Sequence, residues 1–203
     1  AERYLEDVIK AKPDAVVAYA SLAGLYREDR EARIRVYRRG LAAVPGSPEL
    51  SMLLGTELEQ AKRVDEAIAV YEDLVKANPA YEPGLNNLAA SLLDTRTDKA
   101  SWARALELAR PLEKTENPAM LDTLGWAFYR NGETTRAIAT LERAVAKAPQ
   151  VPVFRYHLGM AYAAAGNPVG AKQELTAALK PGADGKNVDW PGRAEAAAAL
   201  AKL

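Results

Sequence analysis

Apolar and small residues recur along this chain at helical spacing, and the helices themselves recur at a fixed distance. Leu121, Leu124 and Phe128 share one face of a 3.6-residue period. Leu124-Gly125 returns 34 residues later as Leu158-Gly159. At the same offset Phe128 falls on Tyr162, Ala137 on Ala171, Leu141 on Leu175 and Ala144 on Ala178. A fixed period of this length predicts an array of supersecondary units that stack on one another. Alanine is abundant and β-branched runs are scarce, so helix is favoured throughout. The expected fold class is all-α, a right-handed solenoid of antiparallel helix pairs running over residues 1–203. Gly125 is unfavourable in the middle of a helix unless another backbone comes close. The two helices of its unit are therefore expected to cross at Gly125 and Ala137.

The pattern divides the chain. Ala1, Leu5, Val8 and Pro13 stand at the spacings of Ala137, Leu141, Ala144 and Pro149. Residues 1–13 thus read as the second helix of a truncated unit, and the sequence is expected to be a fragment. Full units are expected at 14–45, 46–79, 80–117, 118–149 and 150–183, followed by a loop and capping helix over 184–203, with the helix starting at Pro191. The unit at 14–45 is the least regular, because Arg33 stands where a small alanine belongs. Ser47-Pro48 is a strong helix start, serine as N-cap and proline at the first position. The turn from Thr95 to Trp102 is about four residues longer than its counterparts, and a longer turn with Trp102 packed on it is expected.

Charge and reactive groups narrow the function. The 203 residues carry 27 Lys plus Arg and 27 Asp plus Glu, so no basic footprint for nucleic acid exists. There is no cysteine, and no apolar run approaches the ~20 residues of a membrane span. His157 is the single histidine, so histidine-built metal sites and triads lack partners, and a partly packed structural role is expected. Glu57/Glu59 and Asp65/Glu66 are expected on helix surfaces with lysine or arginine nearby and read as solvated faces, not as a catalytic acid. Arg27, Arg30, Arg33, Arg35, Arg38 and Arg39 crowd one unit, with Glu28, Asp29 and Glu31 beside them. A salt-bridged face is expected there, an anion contact being the alternative. Lys180 to Asn187 brushes against a phosphate loop, but Gly182 and Gly185 are separated by two residues rather than four, and Asn187 replaces Ser or Thr. No catalytic constellation, cofactor motif or metal cluster emerges.

Leu121, Leu124, Gly125, Phe128, Ala137, Leu141, Ala144 and Pro149 together resemble the tetratricopeptide repeat. The resemblance covers almost the whole chain and implies a non-catalytic scaffold. It also implies that the first helices of successive units line a groove. The places −3, +1, +4 and +5 from each Gly or Ala of the Leu-Gly pair then face it. They hold Met52, Thr56, Glu59 and Gln60; Asn86, Ala90, Leu93 and Asp94; Asp122, Trp126, Tyr129 and Arg130; Tyr156, Met160, Ala163 and Ala164. The expected partner-binding groove is Asn86, Asp122, Trp126, Tyr129, Arg130, Tyr156 and Met160, an exposed apolar patch rimmed by Asp122 and Arg130. The alternative for Trp126 is packing against the neighbouring first helix. Chaperone-binding relatives clamp a terminal carboxylate with Lys, Arg or Asn at −3 and +1, and only Asn86 fits that scheme here. Asn86-Asn-Leu-Ala89, Asp122-Thr-Leu-Gly-Trp126 and Pro191-Gly-Arg-Ala-Glu195 are similar to bacterial envelope repeat lipoproteins of exosortase and exopolysaccharide-export systems. That similarity implies a periplasmic or envelope-associated setting, with the cytoplasm as the alternative. Expected partners are a protein or peptide, or a polysaccharide stacked on the aromatics; nucleic acid is not expected. The leading half unit offers a surface for a second copy.

Overall fold

The computed structural model describes residues 1–181 and 188–203. The phosphate-loop comparison at Lys180–Asn187 therefore lies almost wholly outside the described residues. Among the described residues every regular element is a helix, and the chain divides into two compact units, residues 1–95 and 96–203. The division falls inside the repeat expected at 80–117, whose turn carries the insertion.

Residues 1–95 hold α1 (Glu2–Ala11), α2 (Val16–Ala23), α3 (Arg30–Ala43), α4 (Pro48–Gln60), α5 (Val64–Ala77) and α6 (Glu82–Thr95). Each helix packs on its neighbours in sequence, as short connections require. Leu22, Leu50, Leu58, Tyr71, Leu74 and Leu88 fill the core, all essentially inaccessible to solvent. Ser47 does cap α4, its hydroxyl accepting the Leu50 N–H at 3.4 Å with Pro48 in the first turn.

Residues 96–203 hold α7 (Lys99–Ala109), α8 (Pro118–Arg130), α9 (Thr134–Lys147), α10 (Pro152–Ala164), α11 (Pro168–Ala178) and α12 (Arg193–Leu200). After α7 the chain tightens into a 3-10 turn, Arg110–Lys114, that buries Leu112. Pro111, which has no N–H to donate, accounts for the break. The long turn before α7 is held as expected: the Trp102 indole N–H donates to the Arg96 carbonyl at 2.9 Å. The last helix starts at Arg193 rather than Pro191, because Gly192 takes a left-handed conformation (φ 95°) just before it.

The close crossing exists, but with a different partner. A Cβ on Gly125 would stand 2.6 Å from Leu141 Cγ, and one on Gly159 would stand 2.8 Å from Leu175 Cγ. The residue lying across each glycine is therefore the leucine one turn beyond the expected alanine; Ala137 and Ala171 are buried beside it. At Gly55 the same place is taken by a tyrosine, and an added Cβ would lie 2.3 Å from the Tyr71 ring.

The arginines of α3 form ion pairs, as expected: Arg35 faces the neighbouring Asp29 at 3.9 Å, and others reach more distant acids. Arg33 reaches Glu57 on α4 at 2.7 Å, Arg39 reaches Glu6 on α1 at 2.9 Å, and Arg38 pairs with Glu66 on α5. Arg33 also donates to the carbonyls of Tyr26 and Arg27, closing the irregular turn before α3. The residue that breaks the small-residue pattern thus supplies the bonds that the short turn lacks. Among the described residues no helix is long and apolar enough to cross a membrane.

Candidate partner-binding site

The expected groove residues lie on α6, α8 and α10, and the structure treats them unequally. Asn86 belongs to residues 1–95, where its Nδ2 donates to Asn87 Oδ1 at 3.1 Å and its own Oδ1 is buried without a donor. The other six lie in residues 96–203, where α8 and α10 pack on each other.

Three of those six are not surface anchors. Asp122 is 7% exposed, so it is not a rim charge. Both of its oxygens accept from His157 Nδ1, at 2.9 and 3.0 Å. With both carboxylate oxygens accepting, Nδ1 is the ring nitrogen that carries the hydrogen. His157 is itself 6% exposed and thus fully packed, more deeply than the sequence suggests. Trp126 is 6% exposed because its indole stacks on the His157 ring at 4.1 Å and on Tyr129 at 4.6 Å. The alternative reading, in which Trp126 packs against the neighbouring first helix, is the one found. Tyr156 is 9% exposed and packs with Leu175, Ala178 and Ala196, with Trp190 ring-to-ring at 5.8 Å. The sequence missed these outcomes because most of the covering groups come from other segments, up to 40 residues away.

What remains accessible is Tyr129, Arg130 and Met160, each partly exposed. Tyr129 ends the stack of parallel rings, with an interplanar angle of 8° to Trp126. Burial raises its hydroxyl above the ordinary value, against a smaller lowering by Arg130. Arg130 lays its guanidinium over Trp102 at 4.1 Å and over Trp126 at 5.5 Å, which holds a long side chain in one place. Its Nε is buried without a partner. Met160 packs on the Tyr156 cluster and presents a soft, deformable side chain. Chemically, this face offers a rigid aromatic ledge, one fixed cation and an adaptable thioether. Among the described residues no three His, Cys, Asp or Glu side chains group as a metal site.

Similarity to known proteins agrees with this architecture. A family model described as "Tetratricopeptide repeat" matches residues 25–82 and 123–186. The TPR repeat-containing protein PA4299 of Pseudomonas aeruginosa is 33% identical over 161 residues, covering 72% of this chain and 62% of that protein. The TPR repeat-containing protein PA4667 of the same organism is 32% identical over 115 residues, covering 55% of this chain and 19% of that one. The matched region thus spans less than two thirds of either relative. Three solved structures share the fold at low identity. MamA of Desulfovibrio magneticus RS-1 gives a TM-score of 0.66 at 18% identity, covering 82% of this chain and 94% of that one. YrrB, a TPR protein with an unusual peptide-binding site, gives 0.68 at 17% identity, covering 88% and 92%. TTC0263, a thermophilic TPR protein of Thermus thermophilus, gives 0.63 at 22% identity, covering 99% and 100%.

Proposed function

This chain belongs to the tetratricopeptide repeat family, and on that premise we propose that it is a non-catalytic scaffold that binds a protein or peptide partner on its first-helix faces. The observation that carries this is the ledge on α8 and α10. Tyr129, stacked on Trp126, stands beside Arg130, which is held over two indoles. Side chains fixed in this way lose little freedom on binding, and aromatic and arginine anchors commonly dominate interface energies. The partner-binding residues are Tyr129, Arg130 and Met160 at the surface. Trp126, Asp122, His157 and Tyr156 support them from beneath, and Asn86 contributes in residues 1–95.

A bacterial envelope or exopolysaccharide-assembly setting is the finer reading, supported by the three short stretches around Asn86, Asp122 and Pro191. A polysaccharide surface is less favoured than a protein one. Sugars stack on open ring faces, and Trp126 and Tyr156 have theirs covered.

The test is a site-resolved crosslink. A photo-reactive amino acid placed at Tyr129 or Met160, with the protein expressed in its own cells, should trap one discrete partner. The same group at Arg38 should trap none. A partner trapped at Arg38 and not at Tyr129 or Met160 would move the site to the arginine-rich surface.

A further inference from the structure

One carboxylate in residues 1–95 is held in a way no neighbouring acid is. Glu59 lies on α4 four residues after Gly55, the place that Tyr129 occupies after Gly125. Because Gly55 has no side chain, the Tyr71 ring from α5 can cross α4 there; any Cβ would meet it at 2.3 Å. The crossing brings the Tyr71 hydroxyl to Glu59, donating to Oε2 at 3.4 Å. From α6, the Ser91 hydroxyl donates to Oε1 at 2.6 Å. Asn87 Nδ2 donates to the Tyr71 oxygen at 3.4 Å, and Asn86 Nδ2 donates to Asn87 Oδ1 at 3.1 Å.

Taken in order, Asn86, Asn87 and Tyr71 pass their hydrogens one way, toward Glu59. Donors aligned in this sense stabilise an anion at the end of the chain. Burial, reinforced by the Glu59 charge, pushes the Tyr71 hydroxyl up to about 12, so it stays a donor at neutral pH. The network is nonetheless incomplete. Among the described residues Glu59 has no ion-pair partner, although arginines reach α4 from α3. Arg33 and Arg30 both pair with Glu57, and Arg30 also donates to the Gln60 carbonyl and side chain. At the other end, the buried Asn86 Oδ1 receives no donor. Both ends of the chain are therefore short of hydrogens.

A half-buried carboxylate supported by neutral donors and lacking a cation is a receptor for one. Metal ions are poorly served, since among the described residues no three His, Cys, Asp or Glu side chains group around it. We propose that Glu59 receives a lysine or arginine side chain of the bound partner, so that the bound segment is basic where it crosses residues 1–95. This rests on the groove reading above and gives the partner a chemistry.

The probes are two fluorescent alanine-based peptides, one with arginines interspersed and one with glutamines in the same places, followed by anisotropy. The arginine peptide should bind the parent protein more tightly than the glutamine peptide, and its affinity should fall as salt is added. Glu59→Gln should weaken the arginine peptide by about tenfold or more, since hydrogen bonds to charged groups are worth that much. The glutamine peptide should be unaffected, and melting nearly so, because the amide oxygen can still accept from Ser91 and the amide N–H can donate to the Tyr71 oxygen in place of the long bond there. Asp73→Asn, which removes an equal charge from an exposed place on α5, should leave both affinities unchanged. Equal binding of the arginine peptide by Glu59→Gln and the parent, or equal binding of the two peptides by the parent, would overturn the proposal. That failure would leave the Tyr129 crosslink standing, whereas absence of the crosslink would remove the groove reading itself.

Discussion

The two compact units place different chemistry on one repeat frame. In residues 1–95 the places around Gly55 carry Met52, Thr56, Glu59 and Gln60, and the residue lying across the glycine is Tyr71. In residues 96–203 the places around Gly125 carry Asp122, Trp126, Tyr129 and Arg130, and the residue across is Leu141. The first arrangement ends in a carboxylate wrapped in neutral donors; the second ends in stacked rings beside a fixed guanidinium. The helices that carry them pack in the same manner. The frame residues decide that helices stack, and the variable places decide what the stack presents.

The largest way to break the second unit is at its crossing. Gly125→Leu would drive a side chain into Leu141, whose Cγ and backbone N lie 2.6 and 3.3 Å from the added Cβ. Overpacking of this kind costs ~1–3 kcal/mol or more. A urea melt should show it, with amide protection lost first in α8 and α9. Stability equal to the parent would mean the crossing is looser than described.

Next in size is the bond beneath the ledge. Asp122→Ala leaves the His157 Nδ1–H buried without an acceptor, at a cost of about 1–3 kcal/mol. Asp122→Asn should recover part of this, since its oxygen can accept from the same nitrogen. The order expected in thermal melts is parent, then Asn, then Ala. An alanine variant as stable as the parent would remove the support assigned to this pair.

The smallest effect makes the two units more alike. Gly132 and Gly166 sit seven residues after Gly125 and Gly159, with φ of 79° and 71°. The same place after Gly55 holds Lys62, at φ 62°. A side chain is strained there, so Lys62→Gly should stabilise by up to ~1 kcal/mol, offset in part by a freer unfolded chain. A melting temperature that falls would contradict this.

These features are not equally legible in the sequence. The helix pairs, the long turn and the family are readable because Leu-Gly, Phe and Ala recur at one offset, and each depends on local spacing. The ledge is half readable. Spacing puts Trp126 and Tyr129 on a face, but whether a ring is open depends on what the next helix lays over it. His157 covers Trp126, and it is found only by matching places +1 and −2 of successive units. Glu59 reads as solvated because lysine and arginine lie near it in sequence. In space the arginines of α3 go to Glu57 and Gln60. The available signal is that Glu59 holds the place of Tyr129. Leu141 rather than Ala137 meets Gly125 because α9 crosses one turn further along than the spacing suggests, bringing the Leu141 backbone N as well as its side chain close.

Tyr156 does not serve as a probe of the ledge, since removing it would open the core around Leu175. The most direct measurement is a titration of the crosslinked partner, once purified, against two double variants. Tyr129→Ala with Met160→Ala removes side chains that are partly exposed; Arg38→Ala with Arg39→Ala removes the surface arginines of α3. The first pair should weaken binding by at least tenfold while helicity and melting stay near the parent values, and the second pair should leave affinity almost unchanged. Loss of binding with the arginine pair and full binding with the Tyr129 and Met160 pair would contradict a partner seated on the aromatic ledge.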